Sequence, residues 1–176
     1  MDNLISKEYK NKIIKKHKKS HWGGNVEKRI PDLILKYMNL SRAKSILDYG
    51  SGYGAFKEAM QGLPGDMSIH EYEPGVPGKD QDPPMCDATV CFDVLEHIEP
   101  SKIDNVLKHI YDKTRFWAIL HICTIPSRNT FPDGKNLHLI IEDSAWWVKK
   151  FLGYWNVLEI DVTKGHVKLL LIKNKL

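Results

Sequence analysis

Ser45-Ile46-Leu47-Asp48-Tyr49-Gly50-Ser51-Gly52-Tyr53-Gly54-Ala55-Phe56 decides how this chain is read. A short apolar run, expected as a strand over 44–48, ends on a carboxylate. Glycines follow at positions 50, 52 and 54, and a helix is expected over 54–62. Glycine enters backbone conformations closed to other residues and carries no Cβ, so the turn can be sharp and the main chain can meet a ligand directly. A dinucleotide fingerprint reads Gly-x-Gly-x-x-Gly, with a pyrophosphate at the helix N-terminus. Here the last gap is one residue shorter, and Asp48 stands two residues before the first glycine. A carboxylate at that place repels an anion and favours a ligand with an ammonium group.

Strand and helix signals alternate on either side. A second strand is expected over 67–72, with Glu73 at its end. Residues 74–85 carry Pro74, Gly75, Pro77, Gly78, Pro83 and Pro84 and cannot form a regular helix. A third, apolar strand over 88–92 runs into Asp93-Val94-Leu95-Glu96-His97-Ile98. Ser101 is expected to cap a helix reaching Tyr111, followed by a strand over 116–123 and a loop with Pro126, Asn129, Pro132, Asp133 and Gly134. Asp143-Ser144 opens a helix with Trp146, Trp147 and Phe151, and strands over 157–162 and 167–172 pair antiparallel around Lys164-Gly165.

Before this core, 5–19 reads as a lysine-rich helix with Ile5, Tyr9, Ile13 and Ile14 on one side. His21-Trp22-Gly23-Gly24 breaks it, and a second helix starts near Asn25 with Pro31 in its first part. The pattern predicts one domain over 1–176: a helical cap over 1–40 and an α/β core over 41–176. The core is expected in three layers around a mostly parallel sheet with a C-terminal antiparallel hairpin. Ligands on such sheets bind outside the carboxyl ends of the strands. The glycine loop and the loops starting at Glu73, Asp93 and Thr124 share that edge.

The bulk numbers exclude several classes. A content of 42% hydrophobic and 27% charged residues is that of a globular chain, not a disordered one. No apolar stretch approaches the ~18 residues that span a bilayer, and Met1 to Lys7 lacks the apolar centre of a signal peptide. A soluble, cytoplasmic protein without a membrane partner is expected. Cys86, Cys91 and Cys123 form no Cys-x-x-Cys pair, which predicts buried, reduced thiols. Seven lysines within 1–20 give that segment a charge of +5 and leave −1 for the remainder. This basic arm could attract an anionic partner, although a solvated helix face is the commoner meaning of such a run. Nucleic acid has weak support, because the arm holds no arginine and only Tyr9 as an interleaved aromatic residue.

Three segments together carry a family resemblance. Asp48-Tyr49-Gly50-Ser51-Gly52-Tyr53-Gly54 resembles the first motif of the class I S-adenosylmethionine-dependent methyltransferases. Tyr72-Glu73-Pro74 resembles their acidic ribose-binding position, and Phe92-Asp93-Val94-Leu95-Glu96-His97-Ile98 the stretch after their fourth strand. The likeness is firmest over 43–123. Pro74-Gly75-Val76-Pro77-Gly78-Lys79-Asp80 and Phe131-Pro132-Asp133-Gly134-Lys135-Asn136-Leu137-His138 are similar to small methyltransferase-like proteins of bacteriophages and bacteria.

The resemblance implies a Rossmann-like sheet and S-adenosyl-L-methionine as cofactor. Asp48, with Gly50, Ser51, Gly52 and Gly54, would hold its methionine part, and Glu73 with Pro74 its ribose. Asp80, with Gln81, would reach the adenine, and Asp93 and Val94 would line the pocket near the sulfonium. The family usually has a helix and a further strand between its second and fourth strands. The stretch 74–86 is too short for both, so this layer is expected to be reduced to a loop. Glu71 shares strand parity with Glu73 and is its rival for the ribose; Glu73 is preferred because it adjoins the loop.

The expected reaction is methyl transfer to a small polar or anionic acceptor such as a metabolite, sugar or nucleotide. A hydroxyl acceptor needs a general base. His97 and His138 are the candidates, with Glu96 beside them, whereas His121 reads as a hydrogen-bonded core residue. Trp22, Arg128, Asn129 and His138 are the expected substrate contacts. No metal site is expected, because the histidine spacing matches no compact ligand motif. The alternative is a non-catalytic protein that binds S-adenosylmethionine or S-adenosylhomocysteine. A nicotinamide-linked oxidoreductase is disfavoured by the glycine spacing and by Asp48.

Overall fold

The computed structural model describes residues 3–19, 30–61 and 67–173. Six strands form one sheet: β1 (Ser45–Tyr49), β2 (Ser68–Tyr72), β3 (Cys86–Phe92), β4 (Thr114–Cys123), β5 (Trp155–Thr163) and β6 (His166–Lys173). Among the described residues five α-helices accompany it: α1 (Lys7–Lys19), α2 (Ile30–Ser41), α3 (Ala55–Ala59), α4 (Ile103–Lys113) and α5 (Ser144–Phe151). The strand order is β2-β1-β3-β4-β6-β5. The contacts of β1 with β2 and β3, and of β3 with β4, are parallel; β6 is antiparallel to both β4 and β5. The predicted terminal hairpin is present, and its second strand inserts beside β4, leaving β5 at the edge.

Period-two alternation divides the strands between two cores. Ile46, Ala88, Val90, Trp117, Ile119 and Leu170 face α2 and α3. Leu47, Cys91, Ala118, Leu120, Ile122, Val167, Leu169 and Leu171 face α4 and α5. Burial of a side chain of the size of Ile46 or Leu47 contributes about 1.5–3 kcal/mol, and both are fully buried on opposite faces. A sheet apolar on both faces must be covered on both, which produces the three layers. A separate cluster of Tyr9, Ile13, Phe131 and Leu137 seats α1 on the loop before α5.

Several boundaries differ from expectation. β3 starts at Cys86 because Asp87 is held inside the sheet: its carboxylate accepts from the amides of Lys44 and Ser45 at 2.9 and 3.2 Å and meets Arg115 at 2.8 Å. Ser101 does not cap α4. The residue at that position is Lys102, whose side chain makes no capping bond, and the hydrophobic face of α4 (Ile103, Val106, Leu107, Ile110) secures the helix. Asp143 does cap α5, accepting from the amide of Trp146 at 2.8 Å. The three cysteines are buried and unbridged. No helix among the described residues is long and apolar enough to cross a membrane.

The stretch from β2 to β3 has neither helix nor strand. It closes on itself through Val76 N to Glu73 O (3.1 Å), Lys79 N to Val76 O (3.1 Å) and Glu73 N to Lys79 O (2.9 Å). Prolines at 74 and 77 and Gly78 at φ +89° suit these tight turns.

Candidate functional site

The parallel strands deliver their carboxyl ends to one edge. Gly50 and Ser51 both donate their amides to Tyr72 O, at 2.8 and 3.1 Å, so the glycine loop is tied to the end of β2. Asp93 N donates to His121 O at 2.9 Å and fixes the end of β3 against β4. Between these ends and α1 lies a cleft of about 660 Å³. Asp48, Gly50, Ser51, Gly52, Glu73, Pro74, Asp93, Val94 and His97 line it, and Leu4, Ile5, Tyr9, Ile13 and His17 cover it from the N-terminal side.

The glycines have unequal reasons. Gly50 has φ +84°, and a Cβ there would sit 2.2 Å from Val94 Cγ2. Gly54 has φ +101°, and its Cβ would meet Glu71 Oε1 at 2.6 Å. Gly54 is not among the cleft-lining residues, so its glycine serves the chain's own packing rather than a ligand.

Asp48 is 4% exposed, and its Oδ2 has no hydrogen-bond partner among the described residues. Burial lifts its pKa to about 7; Glu71 and Glu73 push the same way and Lys79 opposes them. The buried hydroxyl of Ser51 also has no partner among those residues. Glu73 is held by its own turn and by the glycine loop: Gly75 N donates to Oε1 at 2.9 Å and Gly52 N to Oε2 at 3.3 Å. His17 Nε2 lies 3.6 Å from Glu73 Oε1. Glu71, the rival, points elsewhere and pairs with Lys79 at 2.8 Å and Lys57 at 3.4 Å. Tyrosines apart, the ionisable side chains lining the cleft are acids (Asp48, Glu58, Glu73, Asp93) and two histidines (His17, His97). No lysine or arginine lines it among the described residues.

Other expected positions lie apart from the cleft. Asp80 pairs with Lys10 of α1 at 3.0 Å and does not line it. Lys12 meets Glu8 and Asp133, so these lysines tie α1 down instead of facing a ligand. Arg128 and Asn129 are exposed on the loop after β4, outside the cleft lining. Trp22 lies outside the described residues. His121 is partly exposed and pairs with Asp93 at 2.8 Å.

His97 lines the cleft, whereas His138 stands behind it, the ring centroids 4.8 Å apart. Burial lowers the His97 pKa to about 4, which makes it a weak proton acceptor at neutral pH. Sequence reasoning did not assign Tyr9 or His17 to the site. The signal was the apolar stripe of α1, since Ile5, Tyr9 and Ile13 recur every four residues and His17 continues the row.

No protein-family model matches the chain, and no curated protein matches it in sequence. Solved structures do match in fold. The 1,6-didemethyltoxoflavin-N1-methyltransferase of Burkholderia thailandensis, bound to 1,6-didemethyltoxoflavin and S-adenosylhomocysteine, has a TM-score of 0.70 at 13% identity, over 96% of this chain and 90% of that one. The N-methyltransferase NodS of Bradyrhizobium japonicum WM9, in complex with S-adenosyl-L-homocysteine, has a TM-score of 0.65 at 9% identity, over 93% and 100%. The magnesium protoporphyrin IX methyltransferase of Synechocystis PCC 6803, with bound S-adenosylhomocysteine, has a TM-score of 0.55 at 13% identity, over 95% and 97%. The chain has the fold of the class I S-adenosylmethionine-dependent methyltransferases.

Proposed function

We propose that the protein binds S-adenosyl-L-methionine in this cleft and transfers its methyl group to a small molecule. The observation that carries the reading is the buried Asp48 carboxylate, whose Oδ2 has no partner among the described residues. A buried carboxylate without a partner is costly, and the ammonium of an amino-acid ligand is the group that relieves it. The cleft also favours a cationic sulfonium over an anionic pyrophosphate, because acids line it without lysine or arginine among the described residues. The fold shared with proteins crystallised with S-adenosylhomocysteine supports the same reading.

In this proposal Asp48, with Ser51 and the main chain of Gly50 and Gly52, holds the amino-acid end. Glu73 holds the ribose, beside Pro74. Each Glu73 oxygen takes one backbone amide, and an ionised carboxylate has further lone pairs for two sugar hydroxyls. Asp93 and Val94 form the wall nearest the methyl. Bound there, the cofactor supplies an electrophilic methyl on sulfur. The chain's contribution is alignment and exclusion of water, which supply much of the catalysis in such a transfer. His97 lines the same wall, and its low basicity gives it no part in removing the acceptor's proton. Tyr9, Ile5 and Ile13 give the acceptor an apolar covering. Lys10 and Lys12 of the basic arm are paired with acids and do not line the cleft.

Calorimetry with S-adenosylmethionine, S-adenosylhomocysteine and NAD tests the reading. Binding of the first two, lost in Asp48→Ala and Glu73→Ala, is expected. Exclusive binding of NAD, or unchanged binding by both variants, rejects it.

A further inference from the structure

Beyond the methyl-transfer reading, the short turn after β3 and the loop before α5 build a second polar cluster. The carbonyl of Glu96 accepts the amides of Leu139 and Ile140 at 2.7 and 3.0 Å. These bonds pin the loop against Leu95–His97 and bring His138 beside His97. One ligating atom from each of Glu96, His97 and His138 lies within 4.8 Å of the others.

Glu96 is fully buried. Its Oε1 accepts from Cys123 N at 3.1 Å, while its Oε2 has no hydrogen-bond partner among the described residues. The imidazoles are oriented by main chain: His97 Nδ1 lies 2.8 Å from Leu137 O, and His138 Nδ1 lies 2.6 Å from Ile125 O. A carbonyl only accepts, so each Nδ1 is the donor and each Nε2 carries the lone pair. Metal-binding histidines are held in this manner, with one ring nitrogen donating to a carbonyl or carboxylate.

We propose that Glu96, His97 and His138 bind one divalent transition-metal cation. Two imidazoles and a carboxylate suit Zn²⁺, Co²⁺, Fe²⁺ or Mn²⁺ and disfavour Ca²⁺, which takes oxygen ligands alone. Bond lengths of about 2.0–2.2 Å require the three ligating atoms to draw closer together than they stand here. Three protein ligands leave coordination positions for oxygens from outside the protein. Since His97 also lines the cleft, the cation lies at the border of the proposed methyl-transfer site.

The test uses tag-free protein treated with chelator and dialysed, then titrated with Co²⁺ by visible absorption and with Zn²⁺ by calorimetry. One ion per chain is expected, with a ligand-field band for Co²⁺ and a raised thermal midpoint. His138→Ala and Glu96→Gln should each weaken binding by about 100-fold, a loss at least as large as that for second-shell partners. S-adenosylhomocysteine affinity, measured in parallel, should change less than twofold, so a failure of the metal site and of the cofactor reading are separate results. Absence of Co²⁺ and Zn²⁺ binding by the folded wild-type chain overturns the proposal. Unchanged binding in both folded variants also overturns it. Should a variant not fold, the wild-type stoichiometry and band decide.

Discussion

The hydroxyl of Tyr9 donates to the main-chain carbonyl of His97 at 2.5 Å. One hydrogen bond thus joins the first helix to the turn that forms a wall of the cleft. Ser6 N to Glu99 Oε2 at 2.7 Å and Lys10 to Asp80 at 3.0 Å fasten the same helix on either side. The N-terminal segment is consequently part of the site.

Tyr9→Phe tests that attachment. Tyr9 is buried, so the change leaves a carbonyl without its partner and costs about 1–3 kcal/mol. A lower thermal midpoint is expected, along with weaker S-adenosylhomocysteine binding as the cover loosens. A change in neither would show that α1 does not depend on this bond.

Asp48→Asn should stabilise the ligand-free protein at alkaline pH. With the folded pKa near 7 against an ordinary value of 3.8, the carboxyl is protonated in both states below about pH 4 and carries no penalty. Between about 4 and 7 the unfolded chain ionises first, so stability falls as pH rises; above 7 the loss is complete, on the order of 4 kcal/mol. Thermal melts of wild type and variant from pH 4 to 8 should converge in acid and separate in base.

The same group gives ligand binding its pH dependence. An ammonium-bearing ligand favours ionised Asp48, so S-adenosylhomocysteine affinity should rise with pH, by up to about tenfold per unit below 7, and level off above it. Lys79, Glu71 and Glu73 act on the same carboxylate and set where the plateau begins. Calorimetry on Asp48→Asn should show weaker binding with a flat profile.

Gly50→Ala should destabilise by two separable effects. At φ +84° a non-glycine residue costs about 1–2 kcal/mol, and the new Cβ meets Val94 Cγ2 at 2.2 Å. Adding Val94→Ala should recover the steric part and leave the backbone part, so the double variant unfolds at lower denaturant than Val94→Ala alone but is less impaired than the two changes summed. Additivity of the two changes would show that Val94 is not the obstacle.

Much of this arrangement is legible in the residues. The glycine run after an apolar strand, the short proline-rich connection before β3 and the terminal hairpin each follow from local rules on turns, breakers and alternation. Asp48 could be singled out because a carboxylate two residues ahead of the first glycine has few other reasons to be there. Strand parity does not separate Glu71 from Glu73, since both fall on one parity; only adjacency to the loop favours Glu73 in the sequence. The fold gives the two different partners: the amides of Gly52 and Gly75 hold Glu73 at the cleft, which supports it as the ribose residue of the proposed site, while Lys57 and Lys79 draw Glu71 aside.

Backbone periodicity and turn chemistry act over a few residues, so the chain itself determines the strands, the glycine loop and the edge at which a ligand binds. Which side chains converge there depends on contacts between distant segments. His97 and His138 meet only because the carbonyl of Glu96 captures the amides of Leu139 and Ile140, and Asp80 turns from the cleft because Lys10 holds it. Those outcomes belong to the tertiary structure, because burial and pairing between remote residues leave no periodic trace in the sequence.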